Sequence, residues 1–281
     1  MILAGAALHA QAATILFQDN FGTPGTHLDY SKWTTLTGSA SFLGRTQLAD
    51  WLPGGGGEFD VEADGAHVAL STFNPTGFSL YGTQGESVMS FQPSGNQTIE
   101  FDTTMQLTSL QPGLVFGMYF YGCPGPCATD HDEIDIELVT NILQGQSPLQ
   151  VQLNRYAGEP LGAGNGGLVN LPAGFDPLAA HTWTILWSLS RIDYLVDGLL
   201  LGSETTHVAQ GPMQVNEIAW GPAPDWSTAY SGSLQPAASL AQNQTFTALL
   251  TNVTVSTGPE PGSWMLALAG LAMVCAAARQ R

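Results

Sequence analysis

The stretch His131–Val139 reads HDEIDIELV, and acidic and apolar residues alternate strictly between Glu133 and Glu137. In an extended strand, successive side chains point to opposite faces, so Glu133, Asp135 and Glu137 share one face. Three carboxylates in one row repel one another, and like charges on neighbouring strands would add to that repulsion. Because such a row lowers stability, the stretch predicts a strand whose acidic face has a chemical use.

Carboxyl groups in this pattern suit cleavage of a glycosidic bond. Retaining glycosidases use two carboxyl groups about 5–5.5 Å apart, one as nucleophile and one as general acid/base. Glu133 and Glu137 begin about 13 Å apart at Cα on a strand, and long side chains on a curved sheet can close most of that gap. The negative charge of Asp135 between them disfavours ionisation of a neighbouring acid and keeps its pKa high.

The chain between residues 14 and 256 has the pattern of an all-β fold. It shows no long amphipathic helix, and short β-rich runs alternate with clusters of Gly, Pro and Asn. Asp197-Gly198 lies between two apolar runs and predicts a tight hairpin. This pattern predicts one antiparallel β-sandwich. Besides the acidic strand, the predicted strands are His67–Ser71, Ser87–Phe91, Thr98–Leu107, Leu114–Tyr121, Leu149–Asn154, Trp183–Leu189, Asp193–Val196, Met213–Trp220 and Thr245–Ser256.

Several segments resemble glycoside hydrolase family 16, the family of lichenases, laminarinases and xyloglucan transglycosylases. The resemblance covers roughly residues 14–256, and it implies a concanavalin A-like jelly roll with a sugar-binding cleft. The segments that carry it are HDEIDIE at 131–137, VFGMYFYG at 115–122, VQLNRY at 151–156, FDPLAAHTWTILWSLSRIDYLVDG at 175–198 and the strand 213–220.

The resemblance implies a role for each acidic residue of the strand. Glu133 is expected to be the nucleophile, Asp135 a supporting acid and Glu137 the general acid/base. Aromatic side chains bind the flat C–H faces of sugar rings through apolar contact. The expected substrate-binding residues are Asn154, Tyr156 and Trp220, with Tyr119, Tyr121 and Trp226 as further candidates by proximity in the motif. Trp183 and Trp187 are assigned to the core.

The spacing of the signature indicates the substrate. The regular Glu-x-Asp-x-Glu form, without an inserted residue before Glu137, is typical of lichenases and xyloglucan-active enzymes. We therefore expect a retaining, endo-acting hydrolase of a neutral β-glucan, either mixed-linkage β-1,3-1,4-glucan or a related one, with a xyloglucan-type transglycosylase as the alternative. Two departures affect the substrate: no charged subsite residues are evident around residues 79–84, and Ile218 stands where lichenases carry an amide.

Composition limits the partners. The chain has 281 residues, 44% of them hydrophobic and 10% charged, and its formal net charge is −17 with only six Lys and Arg. Nucleic acids require a basic footprint, so they are excluded, and polyanionic glycans are disfavoured by the same charge. Neutral polysaccharides are permitted. We expect a monomer that needs no cofactor for catalysis; the resemblance also allows a structural calcium ion without identifying its ligands.

Both ends of the chain indicate export. Residues 1–13 are small and apolar with Ala10-Gln11-Ala12 as a cleavage-like site, which resembles the end of a truncated signal peptide. Residues 257–281 contain Pro259-Glu260-Pro261, an apolar run predicted to form a hydrophobic helix, and terminal arginines. This order resembles the PEP-CTERM sorting tail of Gram-negative bacteria, which implies processing by an exosortase. We expect the domain outside the cytoplasm, at the envelope or cell surface, with the helix removed or kept as a membrane anchor.

Two cysteines lie just before the acidic strand. Cys123 and Cys127 stand in Cys-Pro-Gly-Pro-Cys, and in an exported protein a disulfide closing this short loop is expected. A zinc site is less favoured, because two thiolates supply half of a tetrahedral shell.

Non-catalytic alternatives remain for the acidic strand. One is a lectin-like sandwich in which the acids, with Asp130 and Asp132, hold calcium and a glycan is bound without cleavage. Another is a surface protein attached to exopolysaccharide. The three acids at period two favour the enzyme.

Overall fold

A computed structural model describes residues 13–25, 27–39, 43–50, 52, 59–77, 79–160 and 162–259. Within these ranges the regular secondary structure is almost entirely β-strand, with a short 3-10 helix at Leu240–Gln242. The strands are β1 Thr14–Asp19, β2 Trp33–Thr35, β3 Thr46–Leu48, β4 Asp60–Glu62, β5 Gly65–Ser71, β6 Leu80–Gly82, β7 Gln84–Phe91, β8 Gln97–Leu107, β9 Val115–Gly122, β10 His131–Val139, β11 Gln150–Glu159, β12 Gly167–Asn170, β13 His181–Trp187, β14 Ile192–Val196, β15 Leu199–Glu204, β16 Met213–Trp220 and β17 Thr245–Pro259.

The strands form two sheets. One has seven strands in the order β12-β11-β10-β9-β16-β7-β2. The other has ten, in the order β15-β14-β13-β8-β17-β5-β6-β3, with β1 added to β17 and β4 to β5. All pairs are antiparallel except β3 with β6. The prediction of an all-β sandwich is confirmed.

The inner faces of the two sheets bury the core. Phe120 of the seven-stranded sheet contacts two rings of the other sheet, with centroids 5.2 Å from Phe101 and 5.3 Å from Trp187. Ile134 and Ile136 of β10 have no exposed surface, so the apolar half of the acidic strand packs into this core. Burial of these side chains stabilises β10 in the register that turns its acids outward.

The acidic strand is regular where the chemistry is predicted. β10 pairs with β9 without interruption from Asp132 to Val139. Its register with β11 shifts only between His131 and Asp132. The strand between Glu133 and Glu137 therefore contains no bulge, as the sequence spacing predicts.

The strands predicted from sequence all occur, with ends that differ by a few residues. At the predicted hairpin between β14 and β15, Asp197 has φ 49° and Gly198 has φ 75°. Both values lie in the left-handed region that a tight hairpin turn requires. Sequence reasoning missed β1–β4, β6 and β12, most of which are three or four residues long and too short for a pattern of period two to show. It also gave no bounds for β15, the second strand of the predicted hairpin.

The loop from β9 to β10 is closed by a disulfide between Cys123 and Cys127, whose Cα atoms are 5.0 Å apart. The predicted signal peptide at 1–13, except its last residue, and the predicted C-terminal hydrophobic helix lie outside the described residues. Among the residues described, no helix is long and apolar enough to cross a membrane.

A carboxyl group lies between the sheets at Glu217 of β16, which has no exposed surface. Thr103 Oγ1 of β8 donates to Glu217 Oε1 at 2.5 Å, and Oε2 has no partner among the described residues. Burial raises the pKa of Glu217 well above its ordinary value near 4.5, against the opposing effect of the Thr103 hydrogen bond. The folded protein therefore keeps a proton that the unfolded chain releases above pH 4.5.

We expect Glu217→Gln to stabilise the protein increasingly as pH rises. The folded-state pKa of Glu217 lies above the unfolded value. The contribution of Glu217 to the free energy of unfolding is therefore fullest below pH 4.5, and between the two pKa values it falls by up to about 1.4 kcal/mol per pH unit. A neutral amide does not incur this loss. Melting temperatures of both proteins from pH 4 to 9 check this, with the exposed Glu62→Gln as control. A difference independent of pH would contradict the prediction.

Candidate active site

A cleft of about 900 Å³ lies over the acidic strand on the outer face of the seven-stranded sheet. This volume is within the range of ligand-binding clefts. Its floor is formed by side chains of β7, β9, β10, β11 and β16. Its walls come from chain segments outside that sheet, which include residues 36–39, 43–48, 162–166 and 222–226.

The structure brings all nine predicted catalytic and substrate-binding residues into this one cleft. The residues are Glu133, Asp135, Glu137, Asn154, Tyr156, Trp220, Tyr119, Tyr121 and Trp226. They come from four strands and one loop that are distant in sequence, so their meeting is a property of the fold. Their individual roles remain predictions.

Each acid has fixed neighbours on the adjacent strands. Glu133 lies between Tyr121 of β9 and Tyr156 of β11. Asp135 lies between Tyr119 and Asn154 in the same way. On the two adjacent strands, the residues directly beside these carboxyls are therefore rings and an amide, and none of them is an acid or a base that is charged at neutral pH.

Glu137 has different neighbours. It lies between Gly117 of β9 and Gln152 of β11. Gly117 has no side chain, and the Ile218 side chain of β16 occupies the space there, 3.1 Å from where a Cβ of Gly117 would lie. The Glu137 side chain keeps partial exposure, which an acid that must reach a substrate atom requires.

Asp135 is the most deeply placed of the three acids, at 4% exposed. Burial, followed by the charge of Glu133, raises the pKa of Asp135 well above its ordinary value. Asp135 also hydrogen-bonds the Glu133 carboxyl, and its Oδ2 atom accepts no hydrogen bond from a described donor. Two carboxyls can bond in this way when one carries a proton, so a protonated Asp135 donates to Glu133.

Glu137 also keeps its proton at neutral pH. Burial and the negative charge of Glu133 raise the pKa of Glu137 to about 8. A protonated Glu137 beside an accessible Glu133 gives one proton donor and one nucleophile on the same strand face. The raised pKa of Glu137 is consistent with the general acid predicted from the sequence, and the roles of the two glutamates remain predictions.

His131 supports Glu133 from the start of the strand. It has no exposed surface, and its ring lies 4.3 Å from Tyr156 and 5.6 Å from Tyr121, measured between centroids. Its Nε2 atom lies 3.1 Å from Glu133 Oε2. The imidazole thus packs against the Glu133 carboxyl and restricts the rotamer of that side chain.

The aromatic candidates differ in what they offer a sugar. Trp220 and Trp226 lie together with centroids 5.5 Å apart, and both border the cleft. Tyr119 and Trp220 are each only 8% exposed, so only a small part of each ring is accessible at the floor of the cleft. Burial and the charge of Glu133 raise the pKa of Tyr121 and of Tyr156, which keeps both hydroxyls neutral.

Sequence reasoning missed several residues that line the cleft, and two of them are polar residues of β7. Glu86 of β7 lines the cleft, two residues beyond the segment searched for charged subsite residues. Its Oε1 atom accepts a hydrogen bond of 3.1 Å from Gln214. Burial raises the pKa of Glu86, against the effect of that bond. Alternation along β7 places Glu86 and Gln84 on one face, but nothing in that sequence shows which face is the cleft.

Gln84 places a side-chain amide beside Ile218, the position at which the resemblance to lichenases predicts an amide. It lies directly across from Ile218 on the neighbouring strand and also lines the cleft. Gln84 Nε2 donates to the Tyr119 hydroxyl at 2.5 Å and to Asn216 Oδ1 at 2.9 Å. An amide group therefore occupies this part of the floor, delivered by a different strand.

One cluster of described residues has metal-ligand spacing. Glu62, Asp64 and His67 each offer an atom within 4.8 Å of the others, on the ten-stranded sheet. Calcium prefers an all-oxygen shell. His67 Nε2 already lies 3.0 Å from Asp64 Oδ1. The cluster does not fit a calcium site, and the structural calcium remains a prediction.

The four Lys and Arg side chains among the described residues are all engaged outside the cleft lining. Three form ion pairs, and Arg45 donates to backbone carbonyls. The pairs are Lys32 with Asp19, Arg155 with Glu204 and Arg191 with Asp193. No described Lys or Arg lines the cleft.

Comparison with known proteins finds relatives among β-glucan-active enzymes. The chain is 32% identical over 124 residues to a β-glucanase of Paenibacillus polymyxa, covering 43% of this chain and 48% of that protein. It is 35% identical over 105 residues to the probable xyloglucan endotransglucosylase/hydrolase protein 12 of Arabidopsis thaliana, covering 34% of each. The chain thus spans about half or less of these curated relatives.

The fold is shared with solved structures. A prokaryotic β-1,3-1,4-glucanase (lichenase) derived from a mouse hindgut metagenome superposes with a TM-score of 0.64 at 19% identity. The match covers 85% of this chain and 97% of that one. At this identity the likeness shows the fold alone.

The family is shown by a separate comparison. The family model described as glycosyl hydrolases family 16 matches residues 57–235. That match spans more than half of the chain and contains the whole of β10. The protein therefore belongs to family 16 of the glycosyl hydrolases, a family of enzymes that act on O-glycosyl bonds, as its acidic strand predicts.

Proposed function

We propose that the protein is a retaining, endo-acting hydrolase of a neutral β-glucan, either mixed-linkage β-1,3-1,4-glucan or a close relative of it. The observation that carries this proposal is the arrangement on β10. Glu133 faces the cleft on the same strand face as two carboxyls that retain their protons, Asp135 and Glu137. Such a row can supply a nucleophile and a proton donor to one glycosidic bond.

The first step forms a covalent glycosyl intermediate. Glu137 donates its proton to the glycosidic oxygen while the Glu133 carboxylate attacks the anomeric carbon, and the C–O bond to the leaving sugar breaks. As Glu133 loses its negative charge, the electrostatic effect that raises the pKa of Glu137 weakens. Glu137, now deprotonated, becomes a competent base.

The second step releases the sugar. Glu137 takes a proton from water, whose oxygen attacks the anomeric carbon and displaces Glu133. The carboxylate of Glu133 is restored and Glu137 is protonated again. The proton on Asp135 hydrogen-bonds Glu133 and stabilises it as the leaving group.

The charge distribution supports a neutral substrate. The cleft carries the catalytic acids, Glu86 and Asp225, and no Lys or Arg of the described part of the chain lines it. A sulfated or carboxylated glycan would meet negative charge without a compensating cation. Sugar hydroxyls can instead bond to the amides of Gln152 and Asn154.

A second candidate is transglycosylation on xyloglucan. It is favoured by the similarity to the plant xyloglucan endotransglucosylase/hydrolase. Both reactions share the glycosyl intermediate and differ in whether water or a second sugar attacks it.

The location is also a proposal. We infer export to the envelope or surface of a Gram-negative bacterium, with exosortase-type processing of the tail at 257–281, which is retained as an anchor or removed. The support is the Pro-Glu-Pro, apolar and basic order of that tail, together with the disulfide between Cys123 and Cys127. We expect the exported domain to act as a monomer.

Glu133→Gln should lower hydrolysis of mixed-linkage β-glucan by at least about a thousandfold, because an amide cannot form the glycosyl ester. Reducing-sugar release measures the loss, and retention on a β-glucan affinity gel shows that binding survives. Glu62→Gln, exposed on β4, is the matched control and should keep wild-type activity. If the wild-type protein binds the gel but never yields a cleavage or transfer product, the lectin-like alternative holds.

The pKa of Glu137 predicts the alkaline limit of activity. Because this pKa is raised to about 8, the acid form is present below pH 8 and is lost above it. We therefore expect kcat/KM to hold up to about pH 8 and then to fall roughly tenfold per pH unit. Initial rates between pH 5 and 10 on a soluble β-glucan measure this profile.

An aryl β-glycoside with a good leaving group provides the control, because its departure needs no proton. On that substrate Glu137→Gln should still form the glycosyl intermediate, and its profile should lack the alkaline limb. An alkaline limb that persists unchanged in Glu137→Gln would assign the titration to another group.

A further inference from the structure

His131 is a fourth titratable residue in the row on β10. It stands two residues before Glu133, so alternation puts its side chain on the same face of the strand as the three acids. The reaction proposed for those acids gives His131 no step. The imidazole has no exposed surface, so it does not touch a substrate directly. Any effect of His131 on the reaction must therefore act through a neighbour.

Two tyrosines hold the imidazole beside the predicted nucleophile. Tyr121 of β9 and Tyr156 of β11 lie directly across from Glu133 on the two adjacent strands. The same two rings contact His131, with centroids 5.6 Å and 4.3 Å from the imidazole. One pair of side chains thus flanks both His131 and Glu133, and the register of the sheet sets their relative position.

The two ring nitrogens of His131 have different surroundings. Nε2 lies 3.1 Å from Glu133 Oε2, whereas Nδ1 is buried and has no hydrogen-bond partner among the described residues. A proton on Nδ1 would be buried without an acceptor, which costs free energy. The ring proton therefore belongs on Nε2, where it faces the Glu133 carboxylate.

The contact between His131 and Glu133 is close but incomplete. The two atoms lie within hydrogen-bonding distance, yet Nε2 makes no hydrogen bond to a described residue, so its N–H is not directed at the oxygen. Buried polar groups are almost always bonded, and an exception in a native protein calls for a reason. Hydrogen bonds used in catalysis are often poorly aligned before the substrate binds and tighten in the complex.

Glu133 is the partner that can turn to complete this bond. Its side chain is 20% exposed, whereas that of His131 is enclosed. Asp135 already bonds to the same carboxyl from the opposite direction along the strand. Once the bond to His131 is made, the carboxylate is held from both directions and its rotation is restricted.

We propose that His131 is a positioning residue for Glu133. When a glucan chain fills the cleft, His131 Nε2–H donates to Glu133 Oε2 and holds the carboxylate for attack on the anomeric carbon. The same N–H stays on that oxygen in the glycosyl ester and stabilises the carboxylate that leaves in the second step. His131 neither gains nor loses a proton in either step. This inference rests on the proposed function and adds a residue to it.

Three substitutions separate the N–H from the ring. His131→Gln can place an amide N–H near the position of Nε2, whereas His131→Asn reaches only the position of Nδ1. His131→Phe keeps a ring against the two tyrosines but has no N–H. His67→Gln is the matched control, because His67 Nε2 lies 3.0 Å from the Asp64 carboxylate and outside the cleft lining.

The experiment measures kcat and KM on mixed-linkage β-glucan. It also measures, by intact mass, how fast Glu133 is trapped by a 2-deoxy-2-fluoro-β-glycosyl fluoride of a glucan oligosaccharide. In trapping, the Glu133 carboxylate bonds to the anomeric carbon and fluoride leaves, so the rate reports on the nucleophile. Glu133→Gln should give no adduct.

His131→Phe and His131→Asn should lower kcat and the trapping rate by about tenfold to a hundredfold, the range for a hydrogen bond to a charged group. KM should change by less than about twofold, because His131 does not touch the substrate. His131→Gln should restore most of both rates, and His67→Gln should match the wild type.

A folded His131→Phe protein with the wild-type kcat and trapping rate would overturn the inference. So would equal rates for His131→Gln and His131→Asn, since a packing role does not depend on where the N–H lies. If His131→Phe shows no melting transition, the comparison of Gln with Asn decides. A wild-type protein that yields no cleavage or transfer product from any β-glucan would refute the proposed function itself, whereas normal cleavage with unaffected variants refutes the role of His131 alone.

Discussion

The structure depends on keeping three carboxyl groups in a row on one strand without letting them all carry charge. Glu133, Asp135 and Glu137 face the same side of β10, and burial prevents water from screening them. Protons on two of them remove most of the repulsion. The proposed mechanism uses the same protons, since in it one bonds to Glu133 and the other is donated to the leaving sugar.

That arrangement needs a rigid strand, and the other face of β10 supplies the rigidity. Ile134 and Ile136 have no exposed surface, and they lie among the rings that join the two sheets. A shift of one residue would put these side chains into the cleft and the acids into the core. The apolar half of the alternating pattern therefore fixes the position of the acidic half. A carboxyl group in this core is unusual. Glu217 is buried there, and the Thr103 hydroxyl is its single hydrogen-bond partner among the described residues.

Much of this could be predicted from the sequence because it is local. Alternation from Glu133 to Glu137 gives the strand, its two faces and the absence of a bulge. Asp197-Gly198 gives a hairpin, since few residues tolerate its backbone angles. The short strands such as β3 and β6 could not be predicted, because three residues carry no periodicity. Glu86 and Gln84 could not be predicted for a different reason. Pairing with β16, more than 120 residues away, decides which face of β7 lines the cleft.

The segment 162–166, which borders the cleft beside β11, illustrates a limit of reading a site by resemblance. Asn154 and Tyr156 match the family pattern and do line the cleft, yet the backbone at Gly164 lies close against both side chains, in a segment that the pattern does not include. A run of small residues such as GAGNG reads as a flexible loop in the sequence. It becomes a wall because Asn165, Arg155 and Glu159 hold it, and those contacts exist only once β11 has paired. The acidic strand can therefore be identified from its own sequence, whereas the shape of the cleft over it is decided by contacts between segments that are distant in the chain.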